Sequence, residues 1–332
     1  LILKDKVFAL VGTLGTANNE ATTKFVNDKG VPRLFVNTGF SGFANTKKYP
    51  TTYPLFPSYY MEAKVIGAFL AEKYAGKKVA LIYQDDDFGI DALAGFAQAG
   101  TNFVAKIPYA SGSQADPTVI GKWITSIVSS GADTAVVFGV STATAAALGG
   151  AYKAGLAGKI QWILGSVGAD PTTIKTLAPT ALPLLNGAIA ASFLPAPSDS
   201  ADEYVAQFTA INTKYNPGVT FDNVVLQGMN SAMLTVQALR AAGKNLTREG
   251  LISAIENKGA TFASAGLVPL NFSSSSRVGY NGYWFGKLNA KGELKPATGT
   301  TPVVYTTDSG AGDIVKSDYK RLPIPAKGIP NN

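Results

Sequence analysis

The sequence predicts an α/β fold in which short parallel strands alternate with covering helices. Three observations carry this expectation. The first is a series of β-rich runs, most of them apolar throughout, as in parallel strands covered on both faces: "VFALVG" from Val7, "RLFVN" from Arg33, "VALIY" from Val79, "NFVAKIP" from Asn102, "TAVVFGV" from Thr134, "IQWILGS" from Ile160 and "GAIAASFL" from Gly187. The second is helical spacing between them. Tyr59, Ala63, Ile66 and Leu70 step by four, three and four, and Ile120, Ile124 and Ile127 repeat the pattern after an Asp116-Pro117 start. The third is the small, polar, glycine-rich character of four strand ends, where open α/β sheets bind their ligands. Right-handed crossovers and doubly wound layers follow.

Taken in order, the chain opens on "LILKDKVFALVG", which reads as the end of a helix running into a strand. It has neither an initiator Met nor a leader, so a processed or truncated form is expected. The βα rhythm holds to about Ser200. Three helical segments follow, "ADEYVAQFTAINTKY", "DNVVLQGMNSAMLTVQALRAAG" and "TREGLISAIENKG", the last with Thr247 as an approximate cap. "GLVPLNFS" from Gly266 reads as a strand. "GYNGYWFGKLNAKGEL" from Gly279 reads as a hairpin closed by Asn289-Ala290-Lys291-Gly292. The last 32 residues, 301–332, are expected to lie as an extended tail ending in "LPIPAKGIPNN".

Composition removes several chemistries. With 332 residues and 46% hydrophobic content the chain can build two real cores, and no apolar run approaches the ~18 residues of a membrane span. The net charge of +7 comes from 29 basic and 22 acidic residues, with lysines scattered and no basic, aromatic-interleaved stripe for nucleic acid. Cysteine and histidine are both absent, which excludes thiolate chemistry, Ser–His–Asp triads and His-based zinc sites. The tail sequence "SDYK" from Ser317 matches S-x-x-K without its partner motifs. No catalytic residue, metal ligand or cofactor site is assigned.

The four strand ends are "GTLGTANN" from Gly12, "NTGFSGFAN" from Asn37, "GVSTATAA" from Gly139 and "GSVGADPTT" from Gly165. Each combines hydroxyls with free amides near a helix start, which suits a carboxylate or phosphate, although none is a dinucleotide or Walker sequence. Asp85, Asp86 and Asp87 invite a metal or acid–base reading. As a Ca²⁺ loop they fail, because positions five and twelve hold Gly89 and Phe96. Capping of a helix near Phe88 by Asp86 or Asp87 is the preferred reading. The aromatics of "KKYPTTYPLFPSYY", with Phe40 and Phe43 before them, divide between core and an apolar ligand wall.

"DKVFALVGTLGTANN", "KGVPRLFVNTGFSGF", "GKKVALIYQDDDFGIDALAGF", "SGADTAVVFGVSTATAAALGGAYKAG" and "GLVPLNFS" follow one another as in type I periplasmic solute-binding proteins of ABC transporters. The chain most resembles the branch that binds branched-chain amino acids and aromatic carboxylates. The resemblance implies two Rossmann-like lobes joined by three crossings: 1–57 with 196–272, and 58–195 with 273–300. Relatives carry further N-terminal strands and a helix, which the first lobe lacks here. It also implies a ligand carboxylate held by Gly15, Thr16 and Ala17 and by the loop Asn37, Thr38, Gly39 and Phe40. Phe88 would face the ligand, Ser141 and Thr142 would form a third contact loop, and Gln227 would line the rear. Ser166 and Val167 stand where amino-acid binders place an acid for the ammonium group. An unpaired buried ammonium is costly, so a plain organic or aromatic acid is expected in preference to a branched-chain amino acid.

By this resemblance the chain is a monomeric periplasmic or extracellular receptor, lipid-anchored through a missing N-terminal segment, that delivers its ligand to a membrane permease. Two alternatives stay open. One is a sensory module of the same fold; the other is a hydrolase using Asp85–Asp87.

Overall fold

The structure, a computed structural model, describes residues 1–307 and 312–324. Two sheets organise it. The first is parallel, built from β1 (Leu10–Val11), β2 (Arg33–Val36) and β3 (Thr52–Pro54), with α1 (Thr16–Asp28) connecting β1 to β2. The chain then passes into a run of βα units: α2 (Tyr59–Lys73), β4 (Val79–Gln84), α3 (Asp87–Gln98), β5 (Ala105–Tyr109), α4 (Pro117–Ser130), β6 (Thr134–Phe138), α5 (Ser141–Lys153), β7 (Gln161–Leu164), α6 (Pro171–Leu177) and β8 (Ile189–Ser192).

Three helices return to the first sheet: α7 (Glu203–Tyr215), α8 (Asn223–Ala242) and α9 (Arg248–Lys258). The Tyr53 hydroxyl of β3 donates to Glu256 of α9 at 2.8 Å. A last crossing leads to β9 (Tyr283–Leu288), β10 (Leu294–Pro296), β11 (Val304–Thr306) and β12 (Val315–Ser317). The second sheet runs β12-β11-β9-β8-β7-β6-β4-β5, with β10 also paired to β9. Its β4 to β8 part is parallel, whereas β9 joins β8 antiparallel. The result is two α/β lobes joined by three passages of the chain.

Burial explains why the apolar runs became strands. All residues of β6 are buried, as are Leu81 and Ile82 of β4, since helices cover both faces. Close packing fixes certain positions. A Cβ on Gly89 would fall 1.9 Å from the Gln84 carbonyl oxygen, and one on Gly95 would fall 2.1 Å from that of Tyr60. Only glycine lets α3 lie so near β4 and α2.

Three expectations need correction, and one strand is unmarked in the sequence. The run from Val7 forms only the short β1, because the carbonyls of Val7 and Phe8 accept from the Arg248 guanidinium at 2.9 and 3.0 Å instead of from a strand. "GLVPLNFS" is not a strand; it makes a single antiparallel bridge, Leu270 with Tyr280. The Pro-punctuated stretch hides β3, which pairs with β2. The expected tail enters the fold as β11 and β12, with Val304 opposite Trp284, while 325–332 lie outside the described residues. The hairpin from Gly279 forms as expected, Leu288 facing Leu294.

Candidate functional site

A cavity of about 970 Å³ opens between the two lobes at the carboxyl ends of the strands. Of the residues singled out from sequence, Gly15, Thr16, Ala17, Asn37, Phe88, Ser141, Ser166, Val167 and Gln227 line it. Thr38, Gly39, Phe40 and Thr142 do not. Thr38 is fully buried, its hydroxyl 2.7 Å from that of Thr16, which it orients. Gly39 lies under the crossing: its carbonyl accepts from the Tyr59 amide, and a Cβ would fall 2.4 Å from the Pro57 oxygen. Phe40 packs edge-on against Phe43. The Thr142 hydroxyl is turned away, accepting from Gln114 at 3.1 Å.

Five helices begin at this cavity, and their first turns differ. The N-terminus of α3 is closed by the Asp86 carboxylate, which accepts from the Phe88 amide at 3.1 Å. Asp170 closes α6, accepting from Thr172 and Thr173, and Asp222 closes α8, accepting from Val225 at 2.8 Å. At α1 and α5 the capping positions are Gly15 and Val140, and neither supplies a side-chain cap. The amides of Thr16, Ala17 and Asn18, and of Ser141 and Thr142, have no acceptor in the described chain. Every other α-helix among the described residues is capped by a side chain: Ser58 on α2, Asp116 on α4, Asp202 on α7 and Thr247 on α9. The two bare starts face the cavity from opposite lobes. Unsatisfied amides at the positive end of a helix dipole form an anion site.

The Ser166 turn is filled from within. Glu62 of α2, fully buried, accepts from the Ser166 amide at 2.5 Å and from its hydroxyl at 3.0 Å. Burial pushes the Glu62 carboxyl up to about 7, against the opposing pull of Ser166 and the Tyr283 hydroxyl. The Ser141 hydroxyl donates to the Val167 carbonyl at 3.0 Å, so it too is committed to the turn. The acids on the cavity wall are engaged as well. Asp86, Asp170 and Asp222 cap helices, and Glu293 accepts from the Asn289 amide nitrogen at 2.7 Å. The aspartate run thus resolves into one cap, Asp86, whose second oxygen takes Gln84 at 2.7 Å, with Asp85 and Asp87 exposed beside it. The Asp87 carboxyl is raised by its hydrogen bond to Glu20 of α1. No cluster of three His, Cys, Asp or Glu residues able to hold a metal occurs among the described residues.

The walls are aromatic. Phe88 lies 4.5 Å from Tyr59 and 5.2 Å from Phe138, ring to ring, and Phe56 lies 4.9 Å from Phe193. Of the Pro-punctuated aromatics, Phe56 and Tyr59 line the cavity, while Tyr53 is fully buried in the core. Sequence reasoning did not single out Leu14, Asn18, Gln84, Ser111, Phe193 or Phe221, nor the hairpin residues Lys291 to Leu294. Leu14 and Asn18 fell within a marked loop, and Gln84 directly follows a marked strand. Nothing local marks the hairpin residues as cavity lining, since they reach the site only through tertiary packing.

Two lobes flanking a cavity lined by free amides make the architecture of a solute-binding protein. The profile of the family described as "Periplasmic binding protein" matches residues 1–293, and the chain belongs to that family, in its type I form associated with ABC transporters. Among curated proteins none matches. The fold is similar to a branched-chain amino acid ABC transporter protein from Thermus thermophilus with bound valine. That likeness has 20% identity and a TM-score of 0.76, covering 93% of this chain and 81% of the other. A solute-binding protein from Rhodopseudomonas palustris HaA2 in complex with p-hydroxybenzoic acid is similar at 19% identity and TM-score 0.72, covering 91% and 80%. A fatty acid ABC transporter substrate-binding protein from Thermomonospora curvata is similar at 20% and 0.70, covering 96% and 78%. No helix among the described residues is long and apolar enough to cross a membrane.

Proposed function

We propose that this receptor captures a small carboxylate-bearing metabolite, an organic or aromatic acid, and hands it to the permease of an ABC importer on the outer side of the membrane. The observation that carries this reading is the pair of uncapped helix starts, α1 and α5, facing one cavity from opposite lobes. In this reading the lobes are 1–57 with 196–272, and 58–195 with 273–300. The ligand carboxylate meets the amides of Thr16 and Ala17 and the Thr16 hydroxyl, and the Ser141 turn closes on it from the other side. A ligand that touches both lobes favours the closed state by the difference in its affinity for the two states.

An α-amino acid fits less well. Relatives bind both valine and hydroxybenzoate, but here each wall carboxylate is already engaged and Glu62 is spent on Ser166. A buried ammonium would have to share a carboxylate already tied into a helix cap or turn, which weakens its pairing. The test is a thermal-shift titration with aliphatic acids, benzoates and amino acids, since binding raises stability with the ratio of ligand concentration to Kd. Acids should raise Tm more than the matching amino acids, and Thr16→Val should weaken acid binding about tenfold by removing one charge-assisted hydrogen bond. No shift with any carboxylate refutes the reading.

A further inference from the structure

Close to the bare start of α1 lies a charge that the fold leaves unanswered. Arg33 opens β2 and is only 1% exposed. Its Nη1 donates to the Asn19 carbonyl at 2.6 Å and to the Asn19 side-chain oxygen at 3.0 Å, while Nε and Nη2 are buried without an acceptor. It makes no ion pair among the described residues. We propose, resting on the carboxylate reading above, that Arg33 supplies the counter-charge of the anion site. It is a positioning residue that acts through Asn19 and makes the α1 start prefer a carboxylate to a neutral group of the same shape.

Three observations support the assignment. Connection is the first. Asn19 belongs to α1 and is itself buried; its side-chain nitrogen donates to the Gly15 carbonyl at 2.7 Å, and its side-chain oxygen also accepts from the Thr13 hydroxyl at 2.6 Å. Arg33 is thus two hydrogen bonds away from the turn that carries the free amides of Thr16 and Ala17. Electrostatics is the second. A guanidinium stays protonated in proteins, and burying it unpaired is costly. Burial pulls Arg33 below its ordinary range, with Tyr49 opposing. The first turn of α1 holds no acid to offset the charge, and Glu20 beyond it is turned to Lys48 at 3.2 Å and to the Tyr49 hydroxyl at 2.6 Å. Guanidinium and positive helix end oppose one another until an anion arrives. The third is a contrast within the chain. At α7 the Asp202 carboxylate caps the helix, accepting from Tyr204 and Val205 at 3.0 and 3.1 Å, and Arg321 pairs with it. At α1 the amides and the arginine are present, and the carboxylate is the part the chain does not supply.

Calorimetric titration of the whole chain with benzoate and benzamide, and with hexanoate and hexanamide, tests this. The parent chain should bind each acid more tightly than its amide. Arg33→Met removes the charge, and Arg33→Gln removes it while keeping a donor for Asn19. Both should weaken the acids about tenfold and leave the amides within about twofold, whereas Arg33→Lys should stay close to the parent. A merely structural role would weaken acid and amide alike, and that result overturns the proposal. So does an acid-to-amide ratio unchanged in Arg33→Met or Arg33→Gln. A parent chain that takes amide as tightly as acid overturns it without any variant. A parent chain that binds neither these acids nor any other carboxylate refutes the carboxylate reading itself.

Discussion

The starts of α1 and α5 and those of α3, α6 and α8 open onto the same cavity, yet the protein treats them in opposite ways. Three are filled by the chain's own carboxylates, Asp86, Asp170 and Asp222, and two are left bare. A capped start gains about 1 kcal/mol of stability, so a bare one costs the fold something that a bound anion can restore. The Ser166 amide adds a third case, filled by the buried Glu62 from behind. The contrast separates amides that hold the scaffold together from amides left without an acceptor, which the proposed function assigns to a ligand.

The comparison breaks most directly at Val140. Its backbone, φ −78° and ψ 162°, already suits a capping residue, so Val140→Asp should close α5 as Asp170 closes α6. The expected outcome is a Tm consistent with about 1 kcal/mol of added stability together with a loss of carboxylate affinity of at least a hundredfold, about 3 kcal/mol, from like charges in one site. Calorimetry and thermal melts on the same variant check both signs. Retained affinity would mean that the α5 amides are not ligand contacts.

Next comes Glu62, the acid that occupies an amide without capping a helix. Its carboxyl is raised from 4.5 to about 7 in the folded chain, so between these values the folded state holds a proton that the unfolded state has released. Stability from this group is therefore greatest below pH 4.5, falls as pH rises towards 7, and is level above it. The span is about 3 kcal/mol. Denaturation at several pH values should show Glu62→Gln removing this slope, whereas a slope that persists assigns it elsewhere.

Asp170→Ala sharpens the other side. It removes acceptors from Thr172, Thr173 and Asn223, the last reaching from α8 at 3.1 Å across the cavity. About 1–2 kcal/mol of stability should be lost in urea unfolding. The smallest effect belongs to Asp86→Asn. Asn caps nearly as well as Asp, so a change under about 1 kcal/mol is expected, with ligand affinity within a few-fold of the parent chain. A large loss of affinity there would give the aspartate run a functional part.

Much of this was legible because the signals are local. β4, β6 and β7 declare themselves as apolar runs, since a strand covered on both faces needs no polar alternation. The glycine-rich loop from Gly12 to Asn19 and a cap at Asp86 or Asp87 follow from residue types at strand ends, and Asp86 is the one that caps. Other features depend on partners distant in sequence. β3 is masked by its prolines and exists because β2 pairs with it. Val7 and Phe8 lose their strand to Arg248. Glu62 sits on a helix that buries Lys64 as well, so no polar face marks it as the group behind Ser166. Thr38 and Gly39, expected as ligand contacts, lie outside the cavity lining, where the chain uses them to hold Thr16 and to seat the crossing.

That crossing shapes the mechanics of any closing motion. Pro57 is gripped from both sides: Tyr283 donates to its carbonyl oxygen at 3.0 Å, and Gly39 lies directly against it. A joint so held should turn like a fixed pivot, leaving the angular travel to the other two passages. A pair of spectroscopic labels spanning Pro57 would then stay nearly stationary while a pair across the mouth of the cavity reports the full swing. The chain has no native cysteine to confuse such labelling.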